Sequence, residues 1–147
     1  MYLADTNILL RFLLRSDPAY ASIRQAVRIL KVRREAVVTT PQNIAEFWNV
    51  CTRSTSARGG LGLSVEATEH RLRLLERHFR VLADNPAVYE TWKALVSKHK
   101  VIGVGVHDAR LVAAMMVHGV TNILTSNVGD FRRYPGINVV ESHDITL

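Results

Sequence analysis

Hydrophobic and polar positions change rhythm along this 147-residue chain. Short apolar runs are each followed by a longer stretch whose apolar side chains recur every three or four places. Met1-Tyr2-Leu3-Ala4 is the first run; it stops at a lone acid, Asp5, and helical spacing continues from Ile8 to Leu14. That order predicts a buried strand, a tight turn and a helix, with Asp5 at the carboxyl end of the strand. Thr6 and Asn7 have side chains suited to capping the helix or bonding the turn backbone. The helix must end near Ser16-Asp17-Pro18, where Asp17 reads as the N-cap of the next one and Pro18 as its first residue. Ala19 to Arg34 then places Ile23, Ala26, Val27 and Leu30 on one face.

Ala36-Val37-Val38-Thr39 is a β-branched second strand, and Thr40-Pro41 opens a helix to Thr52 with Ile44, Trp48 and Cys51 as its expected core stripe. Glu46 falls at the edge of that stripe. From Arg53 to Leu63 serine and glycine interrupt the pattern. These glycines follow a helix and do not join a strand to a helix, so the segment reads as a connector or mobile lid, not a phosphate cradle. Ser64 caps another helix, with Leu72, Leu75 and Phe79 on its buried side. Val81-Leu82 makes a brief strand, and Asn85-Pro86 starts a helix running to Lys98. Val101 to Val106 is an apolar connection to His107-Asp108, after which Ala109 to Met116 is a buried helix ended by Gly119. Asn122 to Thr125 is a fourth strand; Ser126 to Phe131 repeats the sequence of polar turn and acid, and Pro135-Gly136 leads into Ile137 to Val140. Strands alternating with helices predict an α/β fold, a doubly wound and mainly parallel sheet with helices on both faces and right-handed crossovers.

Length suits one domain over residues 1–147 with a substantial core. Hydrophobic residues at 48% and charged ones at 22% are ordinary globular values. No apolar run approaches the roughly 18 residues needed to span a bilayer, and an acid interrupts the apolar N-terminus, so neither a membrane anchor nor a secretory leader is expected. A single cysteine excludes an internal disulfide and a cysteine-based zinc cage. The expected setting is the cytoplasm. Nineteen Lys and Arg against thirteen Asp and Glu give a formal charge of +6, which favours a polyanionic partner such as nucleic acid.

Four acids have comparable positions: Asp5 and Asp130 follow strands, Asp108 begins a helix, and Glu46 is early in a helix that follows a strand. Strand ends and the starts of the following helices share one rim of a doubly wound sheet. Each acid alone has an ordinary explanation, whether helix-start charge or exposed surface. Together in one crevice they repel, and a divalent cation relieves that repulsion. Oxygen-only ligands suit Mg²⁺, with Mn²⁺ as the alternative, over zinc. Carboxylates that hold such ions support phosphodiester hydrolysis.

Ala4-Asp5-Thr6-Asn7-Ile8-Leu9, Ile44-Ala45-Glu46-Phe47, His107-Asp108-Ala109 and Leu124-Thr125-Ser126-Asn127-Val128-Gly129-Asp130-Phe131 occur in that order. With this ordered set the sequence resembles the PIN-domain ribonucleases, and among them the VapC-type toxins of type II toxin–antitoxin pairs. The resemblance implies a PIN fold with strand order 3-2-1-4-5, Mg²⁺-dependent endoribonuclease activity on an RNA substrate, a cognate antitoxin and a homodimer. It carries metal binding onto Asp5, Glu46, Asp108 and Asp130, with Asp5 and Asp108 central. Thr125 and Asn127 become polar supports for a carboxylate or water. Asn127 stands where many members carry an acid, and the loop from Arg53 to Leu63 is longer and richer in glycine, placed to gate a substrate groove. Arg53, Arg58, Arg110 and Arg132 are the expected phosphate contacts. The principal alternative is a catalytically silent PIN-like module that binds RNA or protein. A phosphoacceptor signalling domain is disfavoured, because Asp5 has no acidic neighbour and no lysine follows Lys100.

Overall fold

Strand β1 (Tyr2–Ala4) is the middle of a five-stranded parallel sheet. It pairs on one side with β2 (Val37–Thr39) and on the other with β4 (Asn122–Leu124). β3 (Arg80–Val81) flanks β2, and β5 (Asn138–Val140) flanks β4, giving the order β3-β2-β1-β4-β5. The computed structural model describes residues 1–147, and the fold class and strand order are those expected.

A parallel sheet covered on both faces needs apolar side chains at every central position, and successive residues point to opposite sides. The three central strands follow this rule. Ala4, Val37 and Leu124 enter one core with α1 (Thr6–Leu13), α2 (Tyr20–Val32) and α3 (Pro41–Thr52). Leu3, Val38 and Ile123 enter the other with α5 (Ala87–Lys98) and α6 (Gly105–His118). Helix α4 (Val65–Glu76) leads to β3 and contributes Leu75 to the first core; α7 (Val128–Phe131) is a single turn after β4. No helix is long and apolar enough to cross a membrane.

Several local expectations are corrected. The buried row of α3 is Asn43, Phe47 and Cys51, while Trp48 and Ile44 are half-buried. The row includes an asparagine because its side chain is consumed: Asn43 Oδ1 accepts from the Thr40 hydroxyl at 2.7 Å, and Nδ2 donates to Thr6 Oγ1 at 3.1 Å. A polar residue with every bond made packs in a core as an apolar one does. Helix α6 starts at Gly105, not after Asp108. The connection read from Val101 to Val106 is therefore partly the first helical turn, and Ile102 and Val104 before it are 86% and 84% exposed. β3 lies one residue earlier than expected. Helix α2 begins at Tyr20; Asp17 instead closes the preceding turn, its Oδ1 accepting from the Ala19 amide at 2.8 Å.

The glycine-rich segment is a connector. Leu61 and Leu63 amides donate to Val50 and Cys51 carbonyls at 3.0 and 2.8 Å, tying it to the end of α3, and both leucines pack on the first core. Gly60 has no room for a side chain, since a Cβ there would lie 2.0 Å from the Ser54 carbonyl oxygen. Because α3 begins at the sheet's carboxyl rim and runs away from it for 12 residues, this segment sits roughly 18 Å from the rim end of the helix. The segment is held against the far end of α3, and neither Arg53 nor Arg58 pairs with one of the four acids.

Candidate metal centre

The carboxyl ends of β1 and β4 lie side by side, and their turns supply the first part of the site. The Asp5 amide continues the ladder to the Leu124 carbonyl at 3.0 Å. Its side chain is the N-cap of α1, accepting from the Thr6 amide at 2.7 Å. The other carboxylate oxygen accepts from Thr125 Oγ1 at 2.7 Å and Asn7 Nδ2 at 2.8 Å. Asp5 is only 7% exposed. Burial raises its pKa above the ordinary carboxylate value; the Thr125 hydroxyl and Thr6 amide oppose the rise, the Glu46 charge adds to it, and the Asn7 amide again opposes it.

Thr125 is fully buried and serves as the junction of this network. Its hydroxyl donates to Asp5 and accepts from Asn7 Nδ2 at 3.1 Å and from the Asn127 amide at 3.0 Å. Asn127 thus enters through its backbone, and its exposed side chain caps nothing. Asn7 completes the clamp by accepting from the Ser126 amide at 3.1 Å.

Glu46 comes from one and a half turns into α3. The Thr6 hydroxyl donates to one of its oxygens at 2.6 Å and Gln42 Nε2 to the other at 3.0 Å. Gln42 Nε2 also donates to the His107 carbonyl at 3.0 Å, and Gln42 Oε1 accepts from Arg110 Nη1 at 3.1 Å. One amide side chain therefore joins α3 to the first turn of α6.

Asp108 stands in that first turn and is half-buried, with no protein donor on its carboxylate. Its pKa is pushed up to about 6, first by burial and then by the charges of Asp130, Asp5 and Glu46 in decreasing order, against a small opposing effect of His107. All four rim acids are thus within electrostatic reach of one another through Asp108. Asp130, on α7, is exposed and lines the mouth. No three of these four bring ligand oxygens within 4.8 Å of one another. That closer spacing occurs instead at Glu141, His143 and Asp144 after β5, a largely exposed group held in its own turn by the Glu141 amide bond to Asp144.

The donor set fits a hard divalent cation. Every side-chain ligand on the rim is a carboxylate oxygen, Asp108 has no other partner, and Asp5 Oδ1 accepts only one bond and keeps a lone pair free. Thr6, Asn7, Gln42 and Asn43 are site-building residues that carried no site role in the sequence reading. Their signal was compositional: short amides and hydroxyls placed immediately after strands, where helix caps are also expected. A cleft of about 790 Å³ along α2, lined by Phe12, Arg24, Arg28, Lys31, His78 and Leu147, contains none of the four acids.

A doubly wound parallel sheet with a carboxylate crevice at its switch point defines the class. The PIN-domain family model matches residues 2–137, and the chain belongs to the PIN-domain family. No curated protein matches it in sequence. Among solved structures it is similar to VapBC2 from Rickettsia felis bound to a promoter DNA fragment, with TM-score 0.73, 14% identity, and 95% of this chain and 97% of that one covered. A toxin–antitoxin complex from Klebsiella pneumoniae gives TM-score 0.63 and 22% identity over 97% and 98% of the chains. VapC20 of Mycobacterium tuberculosis, a toxin cleaving the sarcin–ricin loop, gives 0.61 and 18% over 84% and 87%. At these identities the likeness is one of fold.

Proposed function

We propose that this protein is a divalent-metal-dependent endoribonuclease, the toxin of a toxin–antitoxin pair, acting as one PIN domain. The observation that carries the reading is Asp108, a half-buried carboxylate without a donor and facing three others. A binding module that never held a cation would gain nothing from that repulsion. Asp5 and Asp108 would hold Mg²⁺ or Mn²⁺, with Glu46 and Asp130 completing the shell directly or through water. A bound ion of this kind supplies Lewis acidity toward a phosphodiester and activates water for hydrolysis.

The chain's own residues set the geometry. Thr125, Asn7 and the Thr6 amide fix the Asp5 carboxylate on a buried frame, while Thr6 and Gln42 fix Glu46. Asn127 braces Thr125 through its amide. No serine, cysteine or lysine pairs with a base at the rim, so covalent attack by a side chain has no candidate. Arg110 at the rim, and Arg132 one residue beyond α7, hold phosphates of the flanking strand. The toxin–antitoxin complexes among the similar folds support an antitoxin partner. Exposed Ile102 and Val104 suit the face of a homodimer.

The test is incubation of the purified chain with total RNA, with and without Mg²⁺, and mapping of the ends produced. Metal-dependent cleavage that Asp5→Asn abolishes is expected. Cleavage retained in chelator, or by folded Asp5→Asn protein, would sink the assignment.

A further inference from the structure

A cleft of about 640 Å³ opens beside the acids, between the end of β3 and the start of α5, with Tyr89, Trp92, Arg110 and Asp84 on its walls. Two bonds tie it to the site. The Trp92 indole N–H donates to the Val106 carbonyl at 2.9 Å, two residues before Asp108. Arg110 reaches Glu46 through Gln42. Tyr89 is 59% exposed although aromatic, and lies 6.2 Å from Trp92 with their planes inclined by 32°. Lys93 sits 5.1 Å from the Tyr89 ring centre.

We propose that this cleft is a nucleobase subsite, in which one unstacked base of the RNA lies on Tyr89 and Trp92 while Arg110 holds its phosphate. The proposal rests on the ribonuclease reading and adds where the strand is gripped. Exposed aromatic faces next to cations are how single strands are held without a duplex, since every base offers a π-face. The cleft has the volume of a small-ligand site. Its carboxylate, Asp84, forms no ion pair within the chain and repels a phosphate, so the neutral ring and its N–H donors belong against it. The indole N–H is already used, which holds the Trp92 ring in place.

The experiment measures binding of labelled 12-nucleotide single-stranded RNA by fluorescence anisotropy in chelator, where no cleavage occurs. An oligomer of the same length with abasic riboses serves as the second ligand. Tyr89→Ala is expected to weaken RNA binding roughly 5- to 100-fold and to leave abasic binding unchanged, while Tyr89→Phe keeps the wild-type affinity. Arg110→Ala should weaken both ligands alike. Equal affinities of Tyr89→Ala and wild type for RNA, as expected if the cleft seats a protein, would overturn the subsite and leave the nuclease reading intact. An equal loss on both ligands would overturn it too. Absence of RNA binding and of Mg²⁺-dependent cleavage by the wild type would overturn both.

Discussion

Replacing Asp108 by asparagine should make the ion-free protein more stable while destroying its activity. The side chain accepts no hydrogen bond from the protein, so the amide loses none, and the charge it removes faces three others. Moving a carboxyl from 3.8 to about 6 corresponds to about 3 kcal/mol at 1.36 kcal/mol per pH unit. Solvent screening of a half-buried group, and the loss of a favourable charge in the first turn of α6, reduce the gain to about 1–2 kcal/mol. For a chain of this size that is a rise in Tm of roughly 2–8 °C. The sign follows from proton counting. Between 3.8 and about 6 the folded protein binds the Asp108 proton more tightly than the unfolded chain, so its stability falls as pH rises through that window. Variant and wild type should therefore melt together near pH ~4 and diverge above pH ~6. Scanning fluorimetry in chelator across this range reads the effect directly. Added Mg²⁺ should then stabilise the wild type in proportion to its occupancy and the variant much less. A variant melting at or below wild type at neutral pH in chelator would refute the reasoning, as would an advantage that persists in acid.

Thr125→Val keeps the shape but deletes the hydroxyl shared by Asp5, Asn7 and the Asn127 amide; urea denaturation should show a loss of about 1–3 kcal/mol, while Thr125→Ser stays close to wild type. Gly60→Ala drives a Cβ against the Ser54 carbonyl and should cost about 1–3 kcal/mol, with RNA cleavage below the melting range unchanged because the segment is remote from the rim. Arg110→Ala should lower the salt dependence of RNA binding by about one phosphate contact, and Arg58→Ala should leave it unaltered; an equal effect of the two would contradict the placement of the connector.

The sheet was legible because its strands are short apolar runs that each stop at a helix cap or an acid. Leu3 and Ala4 alternate between two cores, which is why no polar residue interrupts β1. The four acids were legible for the related reason that each follows a strand or opens a helix, the positions that topology collects on one rim. What hydrophobic pattern could not reveal is a polar residue doing a core residue's work. An apolar stripe of Ile44, Trp48 and Cys51 leaves out Asn43, which lies in the buried row of α3 with Phe47 and Cys51, while Trp48 is half-buried. The start of α6 failed differently. Val101 to Val106 is rich in β-branched residues, which favour extended backbone, yet the last of them, Val106, is wound into a helix whose first turn is anchored by Trp92. Periodicity is silent about a bond to a distant indole. Arg53 and Arg58 follow the end of α3, and sequence distance from Glu46 says nothing of the direction in which a helix points.

The seam between β1 and β4 has a consequence for how the protein is made. Asp5 leaves the ribosome early, but the hydroxyl that holds it belongs to Thr125, 120 residues later. At roughly 5–20 residues per second that interval is about 6–24 s. Throughout it the amino-terminal strand lacks β4 as its second neighbour, and Asp130, the last of the four acids, has not been added. A translating or truncated chain therefore lacks the complete carboxylate crevice, which is assembled only when nearly the whole polypeptide is present.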